Sequence, residues 1–385
     1  MDSSVLSSKI GNRHQIDVNG LASKVPKIIY IILNLLKEES IVNNITSLSI
    51  DLAKNVFQLH GTNNSGKVVL KKKITRTKLL EFVVNLPKCN IYMEACGSAN
   101  YWGRKFEQAG HNVKLIHPKY VKPYVKRNKN DMNDAAGIAA AARDPDMRFV
   151  NIKTEAQQDM QSIHRIRSLL IQQRTALANQ IRGLLAEYGI TIAKGIIHVR
   201  GCLSGILGDN PNNMSALILN GLLMLYENFK SLDEKIDECD KKIEMLFKSN
   251  ETCQRLSKVP GIGKLGATIL ESVLGNGAAF KNGRHFAAYL GLVPRQHSSG
   301  GKDRLLGISK CGDTYIRTLL VHGARAVLVW CDKKTDNQSK WLKNLVLRRG
   351  KNKAAVALAN KMARIAWALI HENMEYIPNY KPVIN

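Results

Sequence analysis

From residue 48 the polar and apolar positions follow a short rhythm that lengthens along the chain. An apolar, β-branched run reads as a strand over 48–60, the turn Asn63-Asn64-Ser65-Gly66 follows, and a second strand covers 67–74. The tight glycine-containing turn makes this pair a hairpin. Helices over 76–85, 99–109 and 131–142 then alternate with strands over 90–94 and 112–116, which predicts a mixed α/β sheet. Between 151 and about 250 the pattern is helical: Met160, Ile163, Ile166, Leu169 and Leu170 recur at spacings of three and four, interleaved with Arg and Gln. A second helix runs from Leu222 to Phe247 after the Gly/Asn-rich connection Gly208–Asn213. The pair reads either as an antiparallel hairpin spacing two domains or as a dimerising coiled coil. Its Arg/Gln face is either a nucleic-acid contact or simply solvated. The expected plan is an extension at 1–44 with no identifiable chemistry, an α/β domain at 45–150, a helical middle at 151–250 and a mostly α domain at 251–385.

Composition narrows the partner. The 385 residues, 44% of them hydrophobic, suffice for two or three packed cores, so the chain is not a disordered tail. A net charge of +26 predicts salt-sensitive attraction to a polyanion, nucleic acid first. A membrane surface is the weaker alternative, because no basic helix carries a Trp- or Phe-rich apolar face. The run Ile28–Leu36 is too short to span a bilayer, and the seven scattered cysteines contain no Cys-x-x-Cys pair, as expected of reduced thiols in the cytoplasm.

Four acids stand out against this basic background. Asp51 lies in the first strand among Ile50, Leu52 and Val56, where an ionised carboxylate costs several kcal/mol unless a cation or hydrogen bonds compensate; a solvent-facing strand end is the plain alternative. Glu94 is placed where another apolar strand ends. Asp131 and Asp134 share one face at a helix start, where Asp131 is also a candidate cap. Capping explains one aspartate but not two clustered like charges, which repel unless a cation sits between them. A basic, tyrosine-interleaved stretch leads directly into them, and its Lys126, Arg127 and Lys129 are candidate nucleic-acid contacts.

Two loops carry the chemistry of the C-terminal part. Pro260-Gly261-Ile262-Gly263-Lys264 is similar to the turn of a helix-hairpin-helix, which offers backbone N–H groups to phosphate through Gly261, Gly263 and Lys264; a plain Gly-rich turn between core helices is the alternative. The segment Arg295-Gln296-His297-Ser298-Ser299-Gly300-Gly301-Lys302-Asp303-Arg304 is either an ordinary turn or a nucleophilic serine among phosphate-binding cations, Arg295, Lys302 and Arg304.

The acids Asp51, Glu94, Asp131 and Asp134, set on two strands and a helix start of an α/β unit, form a ribonuclease H-like arrangement. The segment resembles the RuvC-like domain of the IS110 family of insertion-sequence transposases, with its Asp-Glu-Asp-Asp tetrad. Pro-Gly-Ile-Gly, Gly-Leu-x-Pro-Arg, Ser-Gly and Ile308-Ser309-Lys310-Cys311-Gly312-Asp313 with Ile316-Arg317 resemble, in that order, the transposase domain of the same family, and the tail Gly350–Ala368 looks like its IS1111 branch. The likeness covers about residues 46–372. It implies a DNA recombinase in which the four acids bind divalent metal, Mg²⁺ or Mn²⁺, and Ser299, with Ser298 as the other register, is the DNA nucleophile. It also implies element ends and target DNA as partners, a non-coding guide RNA, and a dimer or tetramer on DNA. Acids and serine fall in separate domains, so the reaction must bring them together, within one chain or between protomers. Two other readings stay open: a metal-dependent structure-specific endonuclease, and a non-catalytic DNA-binding protein.

Overall fold

A computed structural model describes residues 44–126, 130–209 and 212–378; the predicted extension, Asn44 apart, and the candidate contacts Arg127 and Lys129 lie outside the described residues. The chain divides into two compact units, Met1–Ile152 and Lys153–Asn385.

In the first unit the elements run β1 (Ser47–Asp51), β2 (Val56–Thr62), β3 (Val68–Thr75), α1 (Arg76–Val84), β4 (Asn90–Glu94), α2 (Ala99–Gln108), β5 (Asn112–Ile116), α3 (Pro118–Val121), α4 (Asp131–Ala142) and β6 (Phe149–Val150). They build one six-stranded sheet in the order β3-β2-β1-β4-β5-β6. β1 is antiparallel to β2 and parallel to β4, and β4 is parallel to β5. The single strand expected over 48–60 is therefore two strands. The chain reverses through the exposed residues Ala53, Lys54 and Asn55, and Arg76 holds the reversal, its N–H donating to Asn55 O at 2.9 Å and its Nη1 to Lys54 O at 3.3 Å. Strand alternation sorts the two faces. Leu48, Ile50, Phe57 and Leu59 pack with Leu79 and Val83 of α1 and with Trp102 and Phe106 of α2. Each such side chain contributes about 2 kcal/mol through burial. On the other face Ile116 packs with Val121 and with Ile138 and Ala141 of α4.

The second unit opens with α5 (Glu155–Ala186), capped by a reciprocal Thr154–Gln157 box, and continues with α6 (Ile196–Asp209) and α7 (Ala216–Lys248). α5 and α7 are antiparallel partners within the chain: Arg167 pairs with Asp240 and, two turns on, Arg174 pairs with Asp233. The far end of the pair is closed by Ala178, Ile181, Leu185, Leu222 and Phe229 packed on Val199 and Leu203 of α6. That helix was not foreseen, and α7 starts six residues before the expected Leu222. There follow α8 (Glu251–Ser257), α9 (Lys264–Leu274), α10 (Gly283–Tyr289), the two-stranded β7 (Pro294–Gln296) and β8 (Leu305–Ile308), then α11 (Thr314–Trp330), α12 (Asn337–Arg349) and α13 (Lys351–His371). Their common core includes Leu256, Leu270, Phe286, Leu320, Leu358 and Met362.

Candidate active site

The sheet brings the first two acids together. β1 and β4 are in register through Ile50 and Met93, so the residues that end these parallel strands, Asp51 and Glu94, lie side by side on the face that α4 covers. Both are half-buried. They act jointly on one neighbour: burial pushes the Cys96 thiol up, and the charges of Glu94 and Asp51 push it further. α4 starts with Asp131, exposed, and Asp134, half-buried. Asp131 is not the cap; Asn130 is, its side chain accepting from Asn133 N–H at 2.8 Å, because the extended backbone of Asn130 places it one position ahead of the first helical turn. Capping thus accounts for neither aspartate. Among the described residues no three acids, histidines or cysteines form a ready metal site, so the acids stand as a strand-end pair and a helix-start pair. All four are hard oxygen donors, the ligand chemistry that suits Mg²⁺.

The serine loop is a hairpin in the second unit. Ser299 and Lys302 bridge antiparallel, with Lys302 N–H donating to Ser299 O at 3.1 Å. Gly300 and Gly301 between them have φ of 55° and 75°, the left-handed pair that a type I′ turn requires. The two serines differ. Ser298 Oγ accepts from Gln296 Nε2 at 2.9 Å and from Arg304 N–H at 3.4 Å, whereas the exposed Ser299 hydroxyl has no hydrogen-bond partner among the described residues. Arg295, Lys302 and Arg304 are exposed on the same hairpin.

Its base is held by backbone packing. Gly291 and Gly312 both have positive φ, and a Cβ on either would overlap backbone of the facing segment, Cys311 O and Tyr289 O respectively. Arg317 clamps the crossing, Nη1 donating to Leu290 O at 3.1 Å and Cys311 O at 3.2 Å, and Asp313 caps α11 by accepting from Ile316 N–H at 3.0 Å. The Pro260–Gly263 turn joins α8 to α9 and lies against α11, where Gly261 O faces Gly323 too closely for any side chain there. Gly263 and Lys264 are exposed at the start of α9, and the Lys264 ammonium is paired with Glu244, holding that carboxyl below its usual range.

Comparison with known proteins bears on both units. Residues 48–190 match the transposase model DEDD_Tnp_IS110, and residues 253–340 match the model described as Transposase IS116/IS110/IS902 family. A probable family 20 transposase of Pseudomonas aeruginosa is 45% identical over 87% of this chain and 99% of its own length. The transposase for insertion sequence element IS1111A of Coxiella burnetii is 45% identical over 88% of this chain and 93% of its own. This chain belongs to the IS110 family of transposases. A pilin gene-inverting protein of Moraxella lacunata is a more distant relative, 25% identical over 86% of this chain and 97% of its own.

The transposase also carries functional-looking polar residues that sequence reasoning passed over. His164 is 1% exposed, with Nδ1 2.9 Å from the Tyr315 hydroxyl and Nε2 2.9 Å from Thr268 Oγ1. Thr268 donates its own proton to Lys264 O at 2.8 Å, so it accepts from His164 Nε2–H. Burial, followed by the Arg167 charge, pulls the imidazole pKa down to about 4, so near neutral pH the ring is uncharged and Nδ1 is left to accept from Tyr315. Three helices, α5, α9 and α11, meet at this one imidazole. The signal was present: Gln161, His164, Arg167, Arg174, Ala178, Ile181 and Leu185 form one stripe at helical spacing that turns from polar to apolar. Its first half, expected to be either a nucleic-acid contact or solvated, is instead packed inside the protein at Gln161 and His164. No described helix is long and apolar enough to cross a membrane, and all seven cysteines are free thiols.

Proposed function

We propose that this transposase cuts and rejoins DNA through a covalent phosphoserine formed by Ser299. The observation that carries the reading is the contrast within the hairpin: Ser298 is tied to Gln296 and Arg304, while Ser299 stands exposed at a turn flanked by Arg295, Lys302 and Arg304. Ser299 Oγ attacks the scissile phosphorus; the P–Oγ bond forms as the bond to the departing strand breaks, and the serine proton ends on that strand's hydroxyl. A second DNA hydroxyl later reverses the exchange and returns the proton to the serine. The neighbouring cations neutralise the phosphate oxygens in both steps.

Asp51, Glu94, Asp131 and Asp134 are assigned as the metal-binding tetrad of a ribonuclease H-like, RuvC-like sheet, which the β3-β2-β1-β4-β5 order supports. Bound Mg²⁺ would supply charge neutralisation at the phosphate. The α8–α9 turn is read as a helix-hairpin-helix that binds the DNA backbone, and the α5–α7 pair as the coiled coil of an oligomer on DNA. A guide RNA, which the family resemblance implies, selects donor and target. The test is a denaturing gel of protein incubated with element ends, the element's RNA and Mg²⁺. A protein–DNA adduct lost in Ser299→Ala supports the recombinase; cleavage without an adduct favours a hydrolytic endonuclease.

A further inference from the structure

The strand register extends the acid site toward β3, the outermost strand on that side among the described residues. Asp51 pairs across to Gln58, and Gln58 pairs across to Lys73, so Glu94, Asp51, Gln58 and Lys73 form one row over four adjacent strands. Residues paired in this way share a face of the sheet. Gln58 is buried, Lys73 is exposed, and the next exposed residue on that face of β3 is Lys71. At a strand spacing of about 4.8 Å, Lys73 stands roughly 10 Å from Asp51 along the row. That is about three steps of 3.4 Å along one strand of a DNA duplex.

The same edge is basic on its other face. Lys72 lies 5.1 Å from the centre of the Phe82 ring, and with Lys78, Phe82 and the carboxylate of Glu81 it lines a groove of about 600 Å³ between β3 and α1, separate from the row of the acids. Between Asp51 and Glu81 the chain has no acid at all, yet it carries Lys54, Lys67, Lys71, Lys72, Lys73, Arg76 and Lys78. Lysine on an edge strand commonly serves to prevent edge-to-edge association, but one or two suffice for that. Here Lys71 and Lys73 place two cations on the acid face and Lys72 a third on the other.

We infer that the β3 edge, through Lys71 and Lys73, binds the sugar–phosphate backbone of the DNA strand leading out of the Asp51–Glu94 pair. The position of this lysine track relative to cleavage rests on the reading of that pair as part of the catalytic site.

The experiment compares full-length protein carrying Lys71→Glu with Lys73→Glu against the charge-matched Lys67→Glu with Lys88→Glu, whose lysines precede β3 and β4 at the strand ends away from the acids. Binding of a duplex oligonucleotide is followed by fluorescence anisotropy over a range of salt. The edge pair is expected to weaken binding at least tenfold at about 0.1 M salt and to lower the salt slope by about 2, while the control pair stays within threefold. Equal losses in the two pairs, or none in either, would overturn the inference. Because charge reversal can disturb folding, a photo-crosslinking benzoylphenylalanine at position 73 of the otherwise unchanged chain provides a second readout. It should crosslink to duplex DNA, and no crosslink, or a crosslink only to an RNA duplex of the same sequence, contradicts the proposal. Asp51→Ala separates the two layers. Crosslinking retained with cleavage lost supports both; crosslinking retained with cleavage intact removes the catalytic reading and leaves the track.

Discussion

The two parts assigned to catalysis are built in opposite ways. The acids stand on a sheet, at the ends of two parallel strands whose inward faces are locked by Ile50 and Met93, both fully buried. Ser299 stands on a two-stranded hairpin whose strand residues are nearly all exposed and which depends for its shape on close backbone packing at its base. A sheet of this kind tolerates loss of one acid side chain without moving its neighbours. The hairpin has no core of its own, so its position is set by Gly291, Gly312 and Arg317.

The contrast is broken most severely at those glycines. Gly312→Ala combines positive φ with a collision against Tyr289 backbone, and should cost at least about 3 kcal/mol; thermal unfolding should show a large drop and the adduct should vanish with it. Gly300→Ala has positive φ but open space, so about 1 kcal/mol confined to the turn is expected. Equal effects from the two would mean that the base does not position the hairpin. Next in size, Asp51→Ala should reduce DNA cleavage by a factor of about 10³ or more while the protein still folds, with a melting temperature far above that of Gly312→Ala. A folding defect instead would recast Asp51 as structural.

A smaller effect comes from pH. The folded pKa of His164 is about 4, below its unfolded value of 6.5, so the unfolded chain binds a proton first. Stability from this group is complete above pH 6.5 and declines as pH falls toward 4, by a few kcal/mol at most. Half-buried Glu271, whose pKa burial raises, contributes in the opposite sense over the acid range, so the diagnostic comparison is with His164→Gln. That variant should be less stable at pH 7.5 but show a flatter decline between pH 6.5 and 4. The smallest expected change is in Ser298→Ala, which loses two loop hydrogen bonds and should slow adduct formation less than about tenfold.

Much of the acid sheet was legible because its signals are local. Strand ends at Glu94 and Ile116 and the helix starting at Asp131 follow from apolar runs and breaks in one segment each. The break between β1 and β2 was missed since Leu52, Ala53 and Val56 keep the run apolar while the reversal depends on Arg76, distant in sequence. In the hairpin, Ser-Gly-Gly signalled a turn, and the family likeness separated the two serines where turn chemistry left them equivalent. Gly-Leu-x-Pro-Arg and Lys-Cys-Gly-Asp, by contrast, carry no legible chemistry in isolation. Their meaning lies in Gly291 and Gly312 meeting each other's segments and in Arg317 bridging both, which only the folded chain displays. For His164 the helical stripe showed which face it occupies, but its partners Thr268 and Tyr315 lie more than a hundred residues away in sequence.

The most direct test of the central claim is the covalent adduct itself, measured on a denaturing gel after incubation with element ends, element RNA and Mg²⁺, for the unchanged protein, Ser299→Ala, Ser298→Ala and Asp134→Ala. An adduct present in the unchanged protein and Ser298→Ala but absent from Ser299→Ala and Asp134→Ala is the predicted result. Cleavage with no adduct, indifferent to Ser299→Ala yet abolished by Asp134→Ala, would contradict the account and mark the protein as a hydrolytic nuclease.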